Sequence, residues 1–198
     1  LINPPINQTI ESDMPKELES AMDFLPPLGL MYLAGYIIKH SNHEVKIIDC
    51  PIEKTTDQKL KEIISTEKPD VVGITAMTFT LIDVIKTVKL IKEVTPDTVI
   101  VLGGPHVNIY PVETISNPEV DFLVLGEGEH PFLDLIDNLS NKEKIKNIKG
   151  IVFKEGETII NNGCRELVTN LDDLPFPARD ITPYKKYYSI IARDNPTT

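Results

Sequence analysis

Apolar positions along the chain switch repeatedly between two spacings, short continuous runs and a three-to-four-residue stripe. Leu1-Ile2 reads as the tail of a first strand that ends in Asn3-Pro4-Pro5. Residues 6–26 are polar and punctuated by proline, which predicts a long loop. From Leu28 to Lys39 the apolar side chains fall at Leu30, Leu33, Ala34, Ile37 and Ile38, a helical stripe. Val45–Asp49 reads as a strand, and Thr56 or Asp57 can cap a helix carrying Leu60, Ile63 and Ile64. Val71–Thr75 is almost wholly apolar, as strands are when a parallel sheet is covered on both faces. A helix over about 80–94 carries Leu81, Val84, Ile85, Val88 and Ile91. Strands follow at 98–102 and 120–125, with a short helix at 111–115 between them and a helix carrying Phe132, Leu135, Ile136 and Leu139 after them. Five strand–helix units with short connections predict an α/β fold, a doubly wound five-stranded parallel sheet.

The pattern changes near residue 145. Lys149–Phe153 and Thr158–Ile160 flank a turn containing Gly156, which predicts a β-hairpin. Residues 171–183 hold Pro175, Pro177 and Pro183 and read as an extended tether rather than a packed element. The chain is therefore divided into a domain over 1–145 and a hairpin with linker over 146–198.

Two of the strands stop at glycine. Val99–Leu102 runs into Gly103-Gly104-Pro105-His106, and Val120–Leu125 runs into Gly126-Glu127-Gly128-Glu129. Two such turns at the ends of consecutive strands describe one rim of a parallel sheet, and that rim is where open α/β sheets bind ligands. Glycine lets the backbone approach whatever lies above it. One such turn is no more than a tight connection; two side by side favour a large flat ligand across them. Thr75, Thr78 and Thr80 cluster at the end of the third strand, where their hydroxyls either bond a ligand or cap the next helix. Glu127 and Glu129 could serve acid–base chemistry but read better as acceptors for backbone N–H groups at the turn. His106 reads as a hydrogen-bonding group at the rim, since no second metal ligand lies near it in sequence.

Composition narrows the ligand. Of 198 residues, 30 are acidic and 20 basic, a net charge of −10 that disfavours nucleic-acid backbones and anionic membranes. No apolar stretch approaches the roughly 20 residues that span a bilayer, and no signal-peptide pattern is present. The two cysteines, Cys50 and Cys164, form no CxxC pattern and point to a reducing, cytoplasmic setting. Gly126–Pro131 reads G-x-G-x-x-P and follows the fifth strand, so it is not the dinucleotide fingerprint of a first strand. No P-loop and no G-x-S-x-G elbow occurs. The chain begins without methionine and stops at Asn195-Pro-Thr-Thr198, and we read it as a piece of a longer protein.

Seven segments in order carry a family likeness. They are Asn3-Pro4-Pro5, Pro26–Ala34, His43–Asp49, Pro69–Thr75, Leu102–His106, Val120–Glu129 and Leu171–Pro177. Together they resemble the N-terminal cobalamin (B12)-binding domain of B12-dependent radical SAM enzymes, and within that family the anaerobic magnesium-protoporphyrin IX monomethyl ester cyclase group. The resemblance implies a flavodoxin-like, Rossmann-like B12-binding fold with a corrin over the C-terminal rim and its nucleotide tail beside the sheet. It implies contacts from Asn3, Pro4 and Pro5, from Thr75, Ala76, Met77 and Thr78, from Gly103, Gly104 and His106, and from Gly126, Glu127, Gly128 and Glu129.

Two departures from the family matter. The pattern D-x-H-x-x-G, whose histidine ligates cobalt, is here Asp49-Cys50-Pro51-Ile52-Glu53-Lys54. Proline cannot ligate a metal, so the expected cofactor is base-off cobalamin without a histidine ligand. The radical SAM pattern C-x-x-x-C-x-x-C is also absent, and two cysteines cannot supply the three thiolates a 4Fe–4S cluster takes from it. The 4Fe–4S cluster and S-adenosylmethionine are therefore expected in a radical SAM domain beyond this chain, with no catalytic residue here. The parent would act on an unactivated carbon, by methyl transfer or by oxidative cyclisation of a magnesium-porphyrin monomethyl ester. The competing readings are a cobalamin-free module that docks substrate or a partner domain, and a flavodoxin-like enzyme with another cofactor.

Overall fold

The computed structural model describes residues 1–8 and 25–187. Most of the loop expected over 6–26 lies outside them. Five parallel strands form as read: β1 (Ile2–Asn3), β2 (Ile48–Asp49), β3 (Val71–Thr75), β4 (Val99–Gly103) and β5 (Phe122–Val124). The hairpin strands β6 (Ile151–Glu155) and β7 (Thr158–Asn161) join the same sheet, in the order β2-β1-β3-β4-β5-β6-β7. The expected count of five strands thus becomes seven. β6 pairs antiparallel with β5, Phe122 facing Phe153 and Val124 facing Ile151. The reason is the outer edge of β5, whose unpaired N–H and C=O groups need a cover.

Helices lie on both faces. One layer contains α1 (Leu28–His40) and α7 (Glu129–Ile136); the other contains α3 (Asp57–Glu67) and α4 (Leu81–Val94). The short helices α2 (Cys50–Glu53), α5 (Pro105–Ile109), α6 (Pro111–Ile115) and α8 (Lys142–Ile145) complete the set. Thr56 is the cap of α3, its Oγ1 accepting the Lys59 N–H at 3.2 Å. Strand alternation divides the core. Val72, Ile74, Ile100, Leu102 and Leu123 pack with α3 and α4, whereas Val101 and Val124 pack with Phe132 and Leu135 of α7.

Residues 164–187 do not hang free. They run extended across the α1/α7 layer, with only single 3₁₀ turns. The Val168 N–H donates to Glu127 Oε2 at 2.7 Å, and Arg165 pairs with Asp134 at 2.7 Å. The Ala178 N–H donates to the Met31 carbonyl at 2.9 Å, where the backbone of Phe176 lies so close that a Cβ on Gly35 would sit 2.5 Å from its oxygen. Tyr187, the last described residue of the strap, is 1% exposed. This explains why α1 buries Met31 and Gly35 while Ile38 stays exposed, a rotation of the face expected from its apolar stripe. A proline-rich segment has few backbone donors, so it reads as a tether, but its backbone still packs against α1 where Gly35 leaves room.

The cysteines differ sharply. Cys50 is buried and its thiol is pushed up to about 12, by burial first and then by the neighbouring Asp49 and Glu53 carboxylates. Cys164 is exposed. We expect one thiol of the native chain to react with a disulfide reagent at pH 8, and two after denaturation, because the thiolate is the nucleophile. Two rapidly reacting thiols in the native chain would contradict this packing.

Candidate functional site

The strand order reverses between β1 and β3, because the chain leaves β1 for β2 on one side and returns to β3 on the other. At such a switch point the loops diverge and leave a crevice. Here the crevice opens on the α1/α7 face and continues down beside the sheet as a slot of about 430 Å³. Its floor follows from strand alternation. Gly73 and Thr75 of β3, Val101 and Gly103 of β4, and Val124 of β5 turn the same way, and Leu30, Leu33 and Phe132 form the opposite wall. Six of its lining residues are glycines: Gly29, Gly73, Gly103, Gly104, Gly126 and Gly128. The polar groups on it are Asn3, Thr75, Glu127 and Glu129. Among the described residues, no lysine or arginine lines it to neutralise a pyrophosphate.

Of the residues expected to hold a ligand, Asn3, Thr75, Met77, Gly103, Gly104, Gly126, Glu127, Gly128 and Glu129 come together on this slot. Thr78 stands exposed at the rim. Pro4, Pro5, Ala76 and His106 are buried and lie outside the lining. His106 is 3% exposed, its Nδ1 3.2 Å from Thr78 Oγ1 and its ring tilted against that of Tyr110. It braces the rim from beneath rather than presenting its imidazole upward. Glu127 accepts a backbone N–H as read, but from Val168 of the strap and not from its own turn.

The rim turns are stitched to one another. The Ala76 N–H donates to the Gly103 carbonyl at 2.7 Å, and the His106 N–H donates to the Ala76 carbonyl at 3.0 Å. Asn108 bridges the two glycine turns: its Nδ2 donates to the Gly104 carbonyl at 3.2 Å, and its Oδ1 accepts the Gly126 N–H at 2.8 Å. Nothing in sequence singles out Asn108, since it sits in a one-turn helix and bonds a residue 18 positions away. Gly73 also escaped the sequence reading, because a glycine inside an apolar strand carries no turn signal.

The segment after Asn3-Pro4-Pro5 is anchored across the sheet. Asp83, buried in the first turn of α4, accepts the N–H groups of Asn7 at 2.9 Å and Gln8 at 2.8 Å. Beyond β2, Pro51 lies in the first turn of α2, and Lys54 closes that helix with φ 51°. This left-handed backbone is the conformation glycine adopts without steric cost, and here a lysine holds it. Asp49, 1% exposed, accepts the Tyr187 hydroxyl at 2.8 Å and the Asn3 Nδ2 at 2.9 Å. Burial holds its carboxyl above the usual range against these bonds and that of the Ile52 N–H. Burial and the Asp49 carboxylate in turn raise the Tyr187 phenol, which keeps its proton and remains a donor.

Among the described residues, no group of three or more His, Cys, Asp or Glu side chains could hold a metal ion. No helix there is long and apolar enough to cross a membrane.

Comparison with known proteins gives a consistent result. Residues 18–136 match the family model of the B12 binding domain. The chain is 40% identical over 163 residues to an uncharacterised methyltransferase of Pyrococcus horikoshii, covering 82% of this chain and 35% of that protein. It is 30% identical over 176 residues to the anaerobic magnesium-protoporphyrin IX monomethyl ester cyclase of Synechocystis, covering 87% of this chain and 34% of that protein. Among solved structures, the cobalamin-dependent S-adenosylmethionine radical enzyme OxsB with aqua-cobalamin bound superposes with a TM-score of 0.71 at 22% identity, over 83% of this chain and 23% of that one. That likeness shows the fold. The chain spans about a third of the length of the curated relatives named here.

Proposed function

This chain belongs to the B12-binding domain family, and from that premise we propose that it is the cobalamin-binding module of a cobalamin-dependent radical SAM enzyme. The observation that carries the reading is the slot with six glycines among its lining residues, opening at the β1/β3 switch point. A corrin is broad, and its acyl arms end in amides. It needs a floor without side chains, apolar walls, and acceptors for amide N–H groups. Gly103, Gly104, Gly126 and Gly128 supply the first, Leu33, Val101 and Phe132 the second, and Asn3, Glu127 and Glu129 the third. The slot beside Gly73 would take the nucleotide tail. Thr78 contacts the ligand from the exposed rim, while Pro4, Pro5, Ala76 and His106 shape the turns beneath it.

When bound, cobalamin supplies a redox-active cobalt centre for group transfer. This chain's own residues bind and orient it, and none of them is assigned a catalytic role. Pro51 offers no lone pair at the position of the cobalt-ligating histidine, and among the described residues no histidine lines the slot. We therefore read the bound form as base-off without histidine ligation. The 4Fe–4S cluster and S-adenosylmethionine belong to a further domain of the parent protein. Relatives that are methyltransferases and cyclases support methyl transfer or oxidative cyclisation on an unactivated carbon as the parent reaction. Two unpaired cysteines support a cytoplasmic setting. A division near residue 145 remains part of this reading, with the hairpin and strap as the connection toward the next domain.

Titration with hydroxocobalamin tests the proposal. The expected result is a stoichiometric change in the visible spectrum and co-elution of cobalamin with the chain on gel filtration. No spectral change and no retention would favour a cobalamin-free docking module. The Co(II) EPR spectrum of the complex is expected to lack nitrogen superhyperfine splitting; splitting from an axial imidazole would overturn the base-off assignment.

A further inference from the structure

The strap's last described residue reaches the cofactor site through one buried carboxylate. Tyr187 comes from the far end of the chain, 138 positions from Asp49, and both are 1% exposed. Asp49 divides its two oxygens between partners. Oδ2 accepts the Tyr187 hydroxyl at 2.8 Å, and Oδ1 accepts the Asn3 Nδ2 at 2.9 Å. A carboxylate only accepts, so the end of the Asn3 carboxamide that faces it must be the donating nitrogen. Asn3 lines the slot at the tip of β1. With Nδ2 held by Asp49, its Oδ1 is the end left to meet a ligand.

We propose that Tyr187 is a positioning residue for the cofactor site. Its hydroxyl fixes Asp49, Asp49 fixes the Asn3 carboxamide with nitrogen inward, and Asn3 Oδ1 becomes an acceptor for an amide N–H on the corrin's periphery. The inference rests on the cobalamin-binding reading above and adds a residue from the strap to it. The choice of tyrosine follows from the site. Beside the Asn3 carboxamide and the Ile52 N–H, a phenol whose proton is retained supplies this buried carboxylate with a further donor without adding charge. Phenylalanine would fill the same volume and leave Asp49 Oδ2 without it. Asp49 could then take up a proton and donate to Asn3, which would turn the carboxamide over and present a donor to the slot.

A double-mutant cycle on the 198-residue chain tests this, with hydroxocobalamin affinity as the readout. Tyr187→Phe is expected to weaken binding about tenfold, equivalent to about 1.4 kcal/mol. Asn3→Ala is expected to do the same, and the double variant to lose no more than either one. A purely structural Tyr187 would lower the melting temperature but leave the two effects additive, about a hundredfold in the double variant; that outcome, or unchanged binding in Tyr187→Phe, overturns the proposal. A second measurement needs no variant. In the ¹⁵N-labelled wild-type chain the Asn3 side-chain NH₂ should exchange slowly with solvent, and rapid exchange refutes the arrangement even if Tyr187→Phe fails to fold. A wild-type chain that binds no cobalamin strikes the functional reading instead, and the Asn3 exchange rate then decides the positioning claim alone.

Discussion

Replacing Gly73 by leucine should cost the chain at least about a hundredfold in cobalamin affinity, roughly 2.7 kcal/mol, while the sheet still forms. Gly73 lies in the middle of β3, in register with Val101 of β4. Its backbone φ is not positive, so any residue fits the strand there. The obstacle is on its α7 side. A Cβ at this position would sit 2.9 Å from both Leu1 Cδ2 and Phe132 Cε2. Both are ends of side chains, which can shift by tenths of an ångström, whereas a leucine brings a whole isobutyl group into the slot. Overpacking of this kind typically costs about 1–3 kcal/mol of stability. Binding should therefore fall much further than the melting temperature indicates, and Gly73→Ala should fall between wild type and leucine. Calorimetric melting alongside hydroxocobalamin titration separates the two effects. A Gly73→Leu chain that binds with wild-type affinity would move the ligand out of this slot.

Gly104→Ala should be the most damaging single-methyl change at the rim. Gly104 has φ 100° and ψ −179°, a backbone region that is almost confined to glycine and costs other residues about 1–3 kcal/mol. The added methyl would also meet the Ala76 carbonyl oxygen at 2.9 Å, Thr75 Oγ1 at 3.0 Å and the Ala76 nitrogen at 3.1 Å. Two of these are backbone atoms held by the Ala76–Gly103 and His106–Ala76 hydrogen bonds, so they cannot retreat without opening the stitch between β3 and β4. We expect the melting temperature to drop by at least about 5 °C, given about 2–4 °C per kcal/mol for a chain of this size. Cobalamin binding should weaken with it. Gly126→Ala is the control. Gly126 has φ 71°, but nothing lies within 4 Å of its would-be Cβ, so only the backbone cost applies. Equal melting temperatures for the two variants would show that the interlock at Gly104 carries no weight.

That contrast also marks how far the sequence could be read. Gly103-Gly104 and Gly126-x-Gly128 look alike as strings, each an apolar run that stops at glycine. Both were legible as the rim of a parallel sheet, and both line the slot. Only the structure separates Gly104, wedged against β3, from Gly126, which faces open space. The same holds for His106. Its place after Gly-Gly-Pro suggested a side chain at the rim, whereas the first turn of α5 drops it beneath Thr78.

By itself the sequence determined the order of the strands and of the longer helices, the five parallel strands, the rim on which the slot opens and the proline at position 51. Each of these is written in spacing, turn chemistry or residue identity over a few neighbouring positions. The tertiary structure alone decided four further points. The hairpin closes the sheet edge at β5. Gly73 is the bottom of a slot. Asn108 ties two turns together, and a proline-rich strap crosses the α1/α7 layer to bury Tyr187 against Asp49. These depend on pairings between residues far apart in the chain, and a donor, a void or a close approach between distant segments exists only once the sheet has brought them together.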